Sequence, residues 1–254
     1  DLPKLCQEDI HFLCHRRFGI GADGLMVLEQ ASGYDFSMRY YNADGLEGSM
    51  CGNGGRCLVA YATQHRPGNY VFIAIDGRHE AQVLSSETDT GGGTQVRLGM
   101  KSVQELSFPE GGYFLDTGSP HFVLFVNDLE GLDVYSLGKF WRQHPHFAPG
   151  GCNVNFVREE ADGSLSVRTF ERGVEDETLA CGTGVTASAL AACVRSLQDR
   201  PQTAQGPYHY ALHARGGELQ VDFQAQDGCF TDVWLTGPAT LVYHGEIEIP
   251  IRNG

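Results

Sequence analysis

Apolar residues Ile10, Leu13 and Cys14 recur at helical spacing between Asp9 and Arg17 and run into Gly19-Ile20-Gly21-Ala22-Asp23-Gly24, which predicts a helix closed by a tight turn. Short apolar stretches at Leu25 to Leu28 and Phe36 to Tyr41 predict strands, the second ending at the turn Asn42-Ala43-Asp44-Gly45. A helix is expected from Cys51 to Gln64. Strands at Tyr70 to Ile75 and Glu80 to Leu84 flank Asp76-Gly77, a dipeptide suited to a tight hairpin, and Gln95 to Leu98 adds another. The Pro- and Gly-bearing stretch from Val103 to Gly112 reads as a crossover, with the domain boundary inside it. The second half repeats the plan. Strands are predicted at Tyr113 to Asp116, His121 to Val126, Asn153 to Val157 and Ser166 to Phe170, and a helix from Cys181 towards Gln198, stopped by Pro201. Two more hairpin-like segments follow, one turning at Gly216-Gly217 and one leading through Trp234 to Ile249. The domains expected are 1–108 completed by 238–254, and 109–237.

At 254 residues the chain is long enough to bury two ordinary cores. No apolar run approaches the ~18 residues of a membrane span, so no membrane partner is expected. The formal charge of -14, with eighteen scattered Lys and Arg, argues against nucleic acid. Eight cysteines without a CxxC pair point to a reducing, cytoplasmic setting rather than a disulfide framework. Cys51 and Cys57 lack a second ligand pair, so no metal is expected. The chain opens at Asp1 directly into a helical pattern, and a short N-terminal piece is expected ahead of it.

The most informative feature is a self-match. Met50-Cys51-Gly52-Asn53-Gly54 and Ala180-Cys181-Gly182-Thr183-Gly184 lie 130 residues apart, each ahead of an apolar helix and behind a strand that ends in polar residues. Glycines let backbone approach a ligand closely, and the first amides of a helix have no intrahelical acceptor. Such an end can hold a carboxylate and favour a thiolate. Inverting a carbon centre by proton transfer needs a base on one face and an acid on the other. Two equivalent cysteines from duplicated halves supply that pair, and a carboxylate held on the helix starts would stabilise the carbanion between the two steps.

Arg17-Phe18-Gly19-Ile20-Gly21-Ala22-Asp23-Gly24, Tyr41-Asn42-Ala43-Asp44-Gly45, the two cysteine motifs and Glu171-Arg172-Gly173 together resemble the diaminopimelate epimerase family over nearly the whole chain. The resemblance implies an α/β (α+β) fold of two pseudo-symmetric domains, each a mixed sheet curled around a central helix. It implies an isomerase that interconverts LL- and meso-diaminopimelate without pyridoxal phosphate or any other cofactor, on the path to lysine and peptidoglycan. A small-molecule amino-acid substrate and a homodimer are implied too. Carried over residue by residue, Cys51 and Cys181 match the acid/base pair, with His121 and Glu171 the other catalytic groups. Arg172 matches the arginine for the distal carboxylate, while Asn42 and Asn153 match further contacts at the distal amino-acid end. Gly52, Asn53, Gly182 and Thr183 match the helix starts that hold the reacting carboxylate, and Gly24 and Ser119 complete the expected substrate contacts.

There are three departures from the family pattern. The N-terminal Gly-Asn-Asp-Phe pattern, whose asparagine contacts substrate, is not in this sequence. The loop Val174-Glu175-Asp176-Glu177 is one residue longer than expected, and Ser119 stands where many relatives carry Asn. Three other readings compete. Proline- and hydroxyproline-type racemases share the two-cysteine fold but typically carry His where this chain has Asn53. A non-catalytic amino-acid-binding protein could use the same helix starts. A covalent enzyme using Cys51 with His121 would leave the second motif without a role. Of the other cysteines, Cys57 and Cys193 are expected in the core.

Overall fold

A computed structural model of the chain describes residues 5–48, 51–87 and 93–249, so Met50 of the first motif lies outside the described residues. The chain forms two compact units, Asp1–Val96 with Pro238–Gly254, and Arg97–Gly237.

The first unit contains α1 (Gln7–Cys14), β1 (Gly24–Glu29), β2 (Phe36–Asn42), α2 (Gly52–Ala62), β3 (Gly68–Ala74), β4 (Gly77–Glu87) and the start of β5 (Gly93–Gly99). Its strands lie in the order β1-β2-β3-β4-β5. β1 and β4 run antiparallel to their neighbours β2 and β3, whereas β2 and β3 are parallel, so the sheet is mixed. Antiparallel neighbours can be joined by a hairpin, but parallel ones need a crossover, and here α2 provides it. α2 packs against β1, β2 and β4. Phe36 and Met38 alternate onto the buried face of β2, and Phe36 stacks on Phe72 of β3 with ring centroids 5.1 Å apart. The β3–β4 hairpin closes on the pair Ala74↔Gly77, so Ile75 and Asp76 form the turn, one position earlier than the sequence predicts. Gly77 supplies the positive φ of 122°. α1 stops at Cys14 instead of Arg17, because the amides of Ile20 and Gly21 fold back to the Leu13 carbonyl.

The second unit contains β6 (Leu106–Ser107), β7 (Tyr113–Asp116), β8 (Pro120–Phe125), α3 (Val134–Arg142), β9 (Asn153–Glu159), β10 (Leu165–Glu171), β11 (Asp176–Thr178), α4 (Gly182–Ser196), β12 (Gln205–Ala214), β13 (Gly217–Gln226) and most of β14 (Cys229–Ala239). The order is β14-β13-β12-β10-β9-β8-β7-β6, with β11 added to β10. This sheet is mixed too: β8/β9 and β10/β12 are parallel. α4 makes the β10–β12 crossover as α2 makes that from β2 to β3. It is buried from Gly184 to Val194 and packs against strands from β7 to β13. Ala, Gly and Ser let strands approach it on all sides. The hydroxyls of Thr186 and Ser188 donate to the carbonyls of Gly182 and Gly184 at 3.0 and 2.8 Å, so neither is left unsatisfied in the core.

Several sequence expectations are corrected. The stretch predicted as a crossover carries the two-residue strand β6, paired to β7. α3 was not predicted, although Val134, Leu137, Gly138 and Trp141 recur at helical spacing and the Asp133 carboxylate caps the helix by accepting the Ser136 amide at 3.0 Å. β14 ends at Ala239, and residues 240–249 form no regular element, with Val242 and Tyr243 exposed. Cys193 is fully buried as expected, but Cys57 lies on the exposed side of α2, although neighbouring atoms still crowd its sulfur enough to push the thiol pKa up. Among the described residues, no helix is long and apolar enough to cross a membrane.

Candidate active site

Each motif cysteine is the residue immediately ahead of its helix. Cys51 has extended backbone (φ -100°, ψ 122°) and Cys181 nearly the same (φ -116°, ψ 112°). In both cases the cysteine carbonyl accepts the first helical amide, Gly55 N–H at 2.6 Å and Val185 N–H at 2.8 Å. The amides of residues 52–54 and 182–184 therefore precede the intrahelical ladder, and the helix dipole adds positive potential there. The last glycine of each motif is closely packed. A Cβ on Gly54 would stand 2.6 Å from Met26 Sδ of β1, and one on Gly184 would stand 2.7 Å from Asn155 Oδ1 of β9.

In the second unit the cysteine joins a polar network. Cys181 Sγ lies 3.4 Å from Thr183 Oγ1, which lies 2.9 Å from His121 Nε2. Ser119 Oγ is 3.0 Å from the same nitrogen and 3.3 Å from the Thr183 hydroxyl. Thr117 Oγ1 donates to the Thr183 carbonyl at 2.8 Å, tying β7's end to the helix start. Asn153 Nδ2 donates to Ser119 Oγ and the Pro120 carbonyl, both at 3.1 Å, while its Oδ1 accepts the Arg172 amide at 2.8 Å. His121 is wholly buried, and burial pushes its pKa down to about 4, with Arg172 acting the same way against the opposing effects of Asn155 and Asp116. The imidazole is neutral at pH 7, so one ring nitrogen can accept a proton while the other donates. Sulfur, hydroxyl and ring nitrogen form a chain along which a proton can pass.

Glu171 ends β10, and Arg172 follows at the edge of this network. Among the described residues no ion pair engages the Arg172 guanidinium. α3 braces this corner. Gly138 packs flat on Phe170, and Arg142 donates to the Gly150 carbonyl at 3.2 Å and to Glu175 Oε1 at 3.1 Å. Glu175 has positive φ, and its carboxylate also accepts the Gly173 amide at 3.0 Å.

The first unit presents a different setting. Asn42 is exposed at the end of β2 and opens the turn whose Gly45 amide donates to its carbonyl at 2.9 Å. Gly24 begins β1 flat against the Tyr40 ring. Asn53 Oδ1 accepts from Arg56 Nη2 at 3.2 Å, and the Gly52 carbonyl accepts from Arg56 Nη1 at 3.3 Å. Arg56 is only 5% exposed, and its Nε is buried with no hydrogen-bond partner. Burial lowers the guanidinium pKa, while Cys57 and Cys51 act in the opposite sense.

The structure thus gathers Ser119, His121, Asn153, Glu171, Arg172, Cys181, Gly182 and Thr183 in one unit, and Gly24, Asn42, Cys51, Gly52 and Asn53 in the other. Sequence reasoning missed Arg56 and Asn155. Asn155 alternates with Asn153 onto one face of β9, and Arg56 falls three and four residues after Asn53 and Gly52 on one helix face. Both periodicities were readable.

The family model for diaminopimelate epimerase matches residues 2–99 and 113–242. The chain belongs to the diaminopimelate epimerase family. It is 42% identical over 247 residues to the diaminopimelate epimerase of Flavobacterium psychrophilum, covering 96% of this chain and 91% of that one. It is 40% identical over 258 residues to the one of Chlorobaculum tepidum, covering 98% and 94%. The protein is an epimerase and hence an isomerase. Solved structures extend the fold further: a PhzF-family phenazine biosynthesis protein of Bacillus anthracis (TM-score 0.68, 13% identity, 94% of this chain and 88% of that one) and a hydroxyproline epimerase of Agrobacterium vitis (TM-score 0.64, 15%, 91% and 77%). At such identities the likeness is one of fold alone.

Proposed function

We infer that this epimerase interconverts LL- and meso-diaminopimelate, in lysine biosynthesis, by two-base proton transfer with Cys51 and Cys181 as the acid/base pair. One cysteine, as thiolate, takes the α-proton. The other, as thiol, returns a proton to the opposite face, and the roles reverse with the direction of reaction. The amides of residues 52–54 and 182–184 hold the α-carboxylate and stabilise the charge that develops on proton loss. The Cys181–Thr183–His121 chain gives its thiol a proton route. Arg172, with Glu171 and Asn42, serves the distal amino-acid end, where a guanidinium without an ion pair of its own suits a carboxylate. Asn153 spends its hydrogen bonds holding Ser119 and the Arg172 backbone in place. On the family resemblance we read the enzyme as PLP-independent, cytoplasmic and homodimeric.

The observation that carries this reading is the duplication: two cysteines in the same backbone conformation, each leading a helix whose first amides precede the intrahelical ladder. The test is exchange of the substrate α-hydrogen in deuterated water together with inversion. Cys51→Ala and Cys181→Ala should each lower inversion at least about 10³-fold, and unimpaired turnover in both would sink the mechanism. Arg172→Met should abolish activity on diaminopimelate; retained turnover would instead favour a smaller substrate.

A further inference from the structure

The residues four positions ahead of the two cysteines are held by the same device. In the first unit, Glu47 forms an antiparallel bridge to Tyr41, and its carboxylate accepts from Arg39 two residues back along β2, Nε to Oε1 at 2.9 Å and Nη2 to Oε2 at 3.0 Å. In the second unit, Glu177 pairs with Phe170, and its carboxylate accepts from Arg168 two residues back along β10, Nε to Oε1 at 2.7 Å and Nη2 to Oε2 at 2.8 Å. Both contacts are two-pronged. In both units the arginine stands two positions before the strand residue that faces the glutamate, and in both the glutamate stands four positions before the cysteine.

A bidentate guanidinium–carboxylate pair fixes orientation as well as distance, and a backbone bridge at the same residue fixes register. Four residues of chain span at most ~14 Å, so a glutamate held at a set register bounds how far from the strand the following cysteine can lie. We propose that Arg39–Glu47 and Arg168–Glu177 are paired positioning clamps that set the placement of Cys51 and Cys181, one clamp for each proton-transfer group. The proposal rests on the two-thiol reading for its catalytic consequence, but not for its structural one.

The clamps are not equally reinforced. Arg168 also donates through Nη1 to the Leu129 and Leu132 carbonyls at 2.8 and 3.2 Å, Arg215 adds a contact to Glu177 at 3.1 Å, and β11 makes three residue pairs with β10. Arg39 has, besides Glu47, the Tyr41 ring 5.1 Å away. Loss of Arg168 would therefore unsettle the surrounding fold as well. The clean test lies at Arg39–Glu47.

Arg39→Met and Glu47→Gln are compared with wild type, with Arg39→Lys, with the exchanged pair Arg39→Glu/Glu47→Arg, and with Arg78→Met, which removes another exposed ion pair with no cysteine following it. Amide hydrogen exchange should quicken in the peptide holding Glu47 and Cys51 and stay unchanged in that holding Glu177 and Cys181. The kcat should fall about 10- to 100-fold, with KM held within about twofold. The Lys variant, unable to make the fork, should stay impaired; the exchanged pair should recover most of the loss. Arg78→Met should match wild type. Unaltered exchange at Cys51, or quickened exchange with unaltered kcat, would overturn the clamp. If the wild-type protein does not epimerise diaminopimelate, the functional reading fails and the exchange result alone decides the clamp.

Discussion

The Cys51 end and the Cys181 end share a backbone plan and differ in electrostatics. Both cysteines lead a helix from a parallel crossover, behind a strand with a clamped return. The groups in the hydrogen-bond network that Cys181 joins are neutral: the uncharged His121, Asn153, Asn155 and the hydroxyls of Ser119 and Thr183. Under Cys51 lies a buried cation, Arg56, where the corresponding position of α4 holds Thr186. Duplicated halves repeat the backbone geometry at each thiol without repeating its electrostatics. A cation beside Cys51 and a hydroxyl–imidazole chain beside Cys181 make the two settings electrostatically different.

Of the changes that separate the two ends, the largest effect is expected in the neutral network. His121→Ala should lower kcat about 10²- to 10³-fold by removing the group that exchanges protons with Thr183 and Cys181. Alkylation of Cys51 should be unchanged in that variant; an equal loss of reactivity at both cysteines would erase the contrast. The same histidine sets a pH dependence. Its folded pKa of about 4 lies below the ordinary 6.5, so the folded state binds fewer protons than the unfolded chain between those values. Its stabilising contribution is present above pH 6.5 and is lost as pH falls towards 4. Denaturant unfolding should show about 2 kcal/mol less stability at pH 5 than at pH 7 from this group, a difference that His121→Gln should remove.

The helix starts differ in tolerance. Gly184→Ala drives a Cβ into the Asn155 amide, itself held by His121, whereas Gly54→Ala meets the end of the flexible Met26 side chain. Gly184→Ala should cost about 2 kcal/mol in thermal or denaturant unfolding and Gly54→Ala less than about 1 kcal/mol. Equal costs would mean that the packing around the two helix starts is alike after all. Smallest is the effect of the cation: Arg56→Met should slow alkylation of Cys51 at neutral pH about tenfold and leave Cys181 unchanged. No change at Cys51 would remove the electrostatic half of the comparison.

Much of this was legible in the chain. The Cys-Gly-x-Gly repeat located both helix starts within a residue, and short apolar stretches between turn residues located most strands. β11 and the clamps were not legible, since Asp176-Glu177-Thr178 reads as an acidic loop until Glu177 meets Arg168 across β10. Cys57 read as core because its neighbours in sequence are apolar, yet only a helix's orientation on its sheet decides which face is covered.

By itself the sequence determined the duplicated cysteine motif, the glycines that allow it and the family to which the chain belongs, because these depend on local backbone demands and on residues close together in the chain. Tertiary structure alone decided the state of each thiol's surroundings. The neutral His121 and the buried Arg56 depend on what packs over them, and the two clamps on strand pairing that brings residues eight and nine positions apart side by side; desolvation and pairing are properties of assembled surfaces.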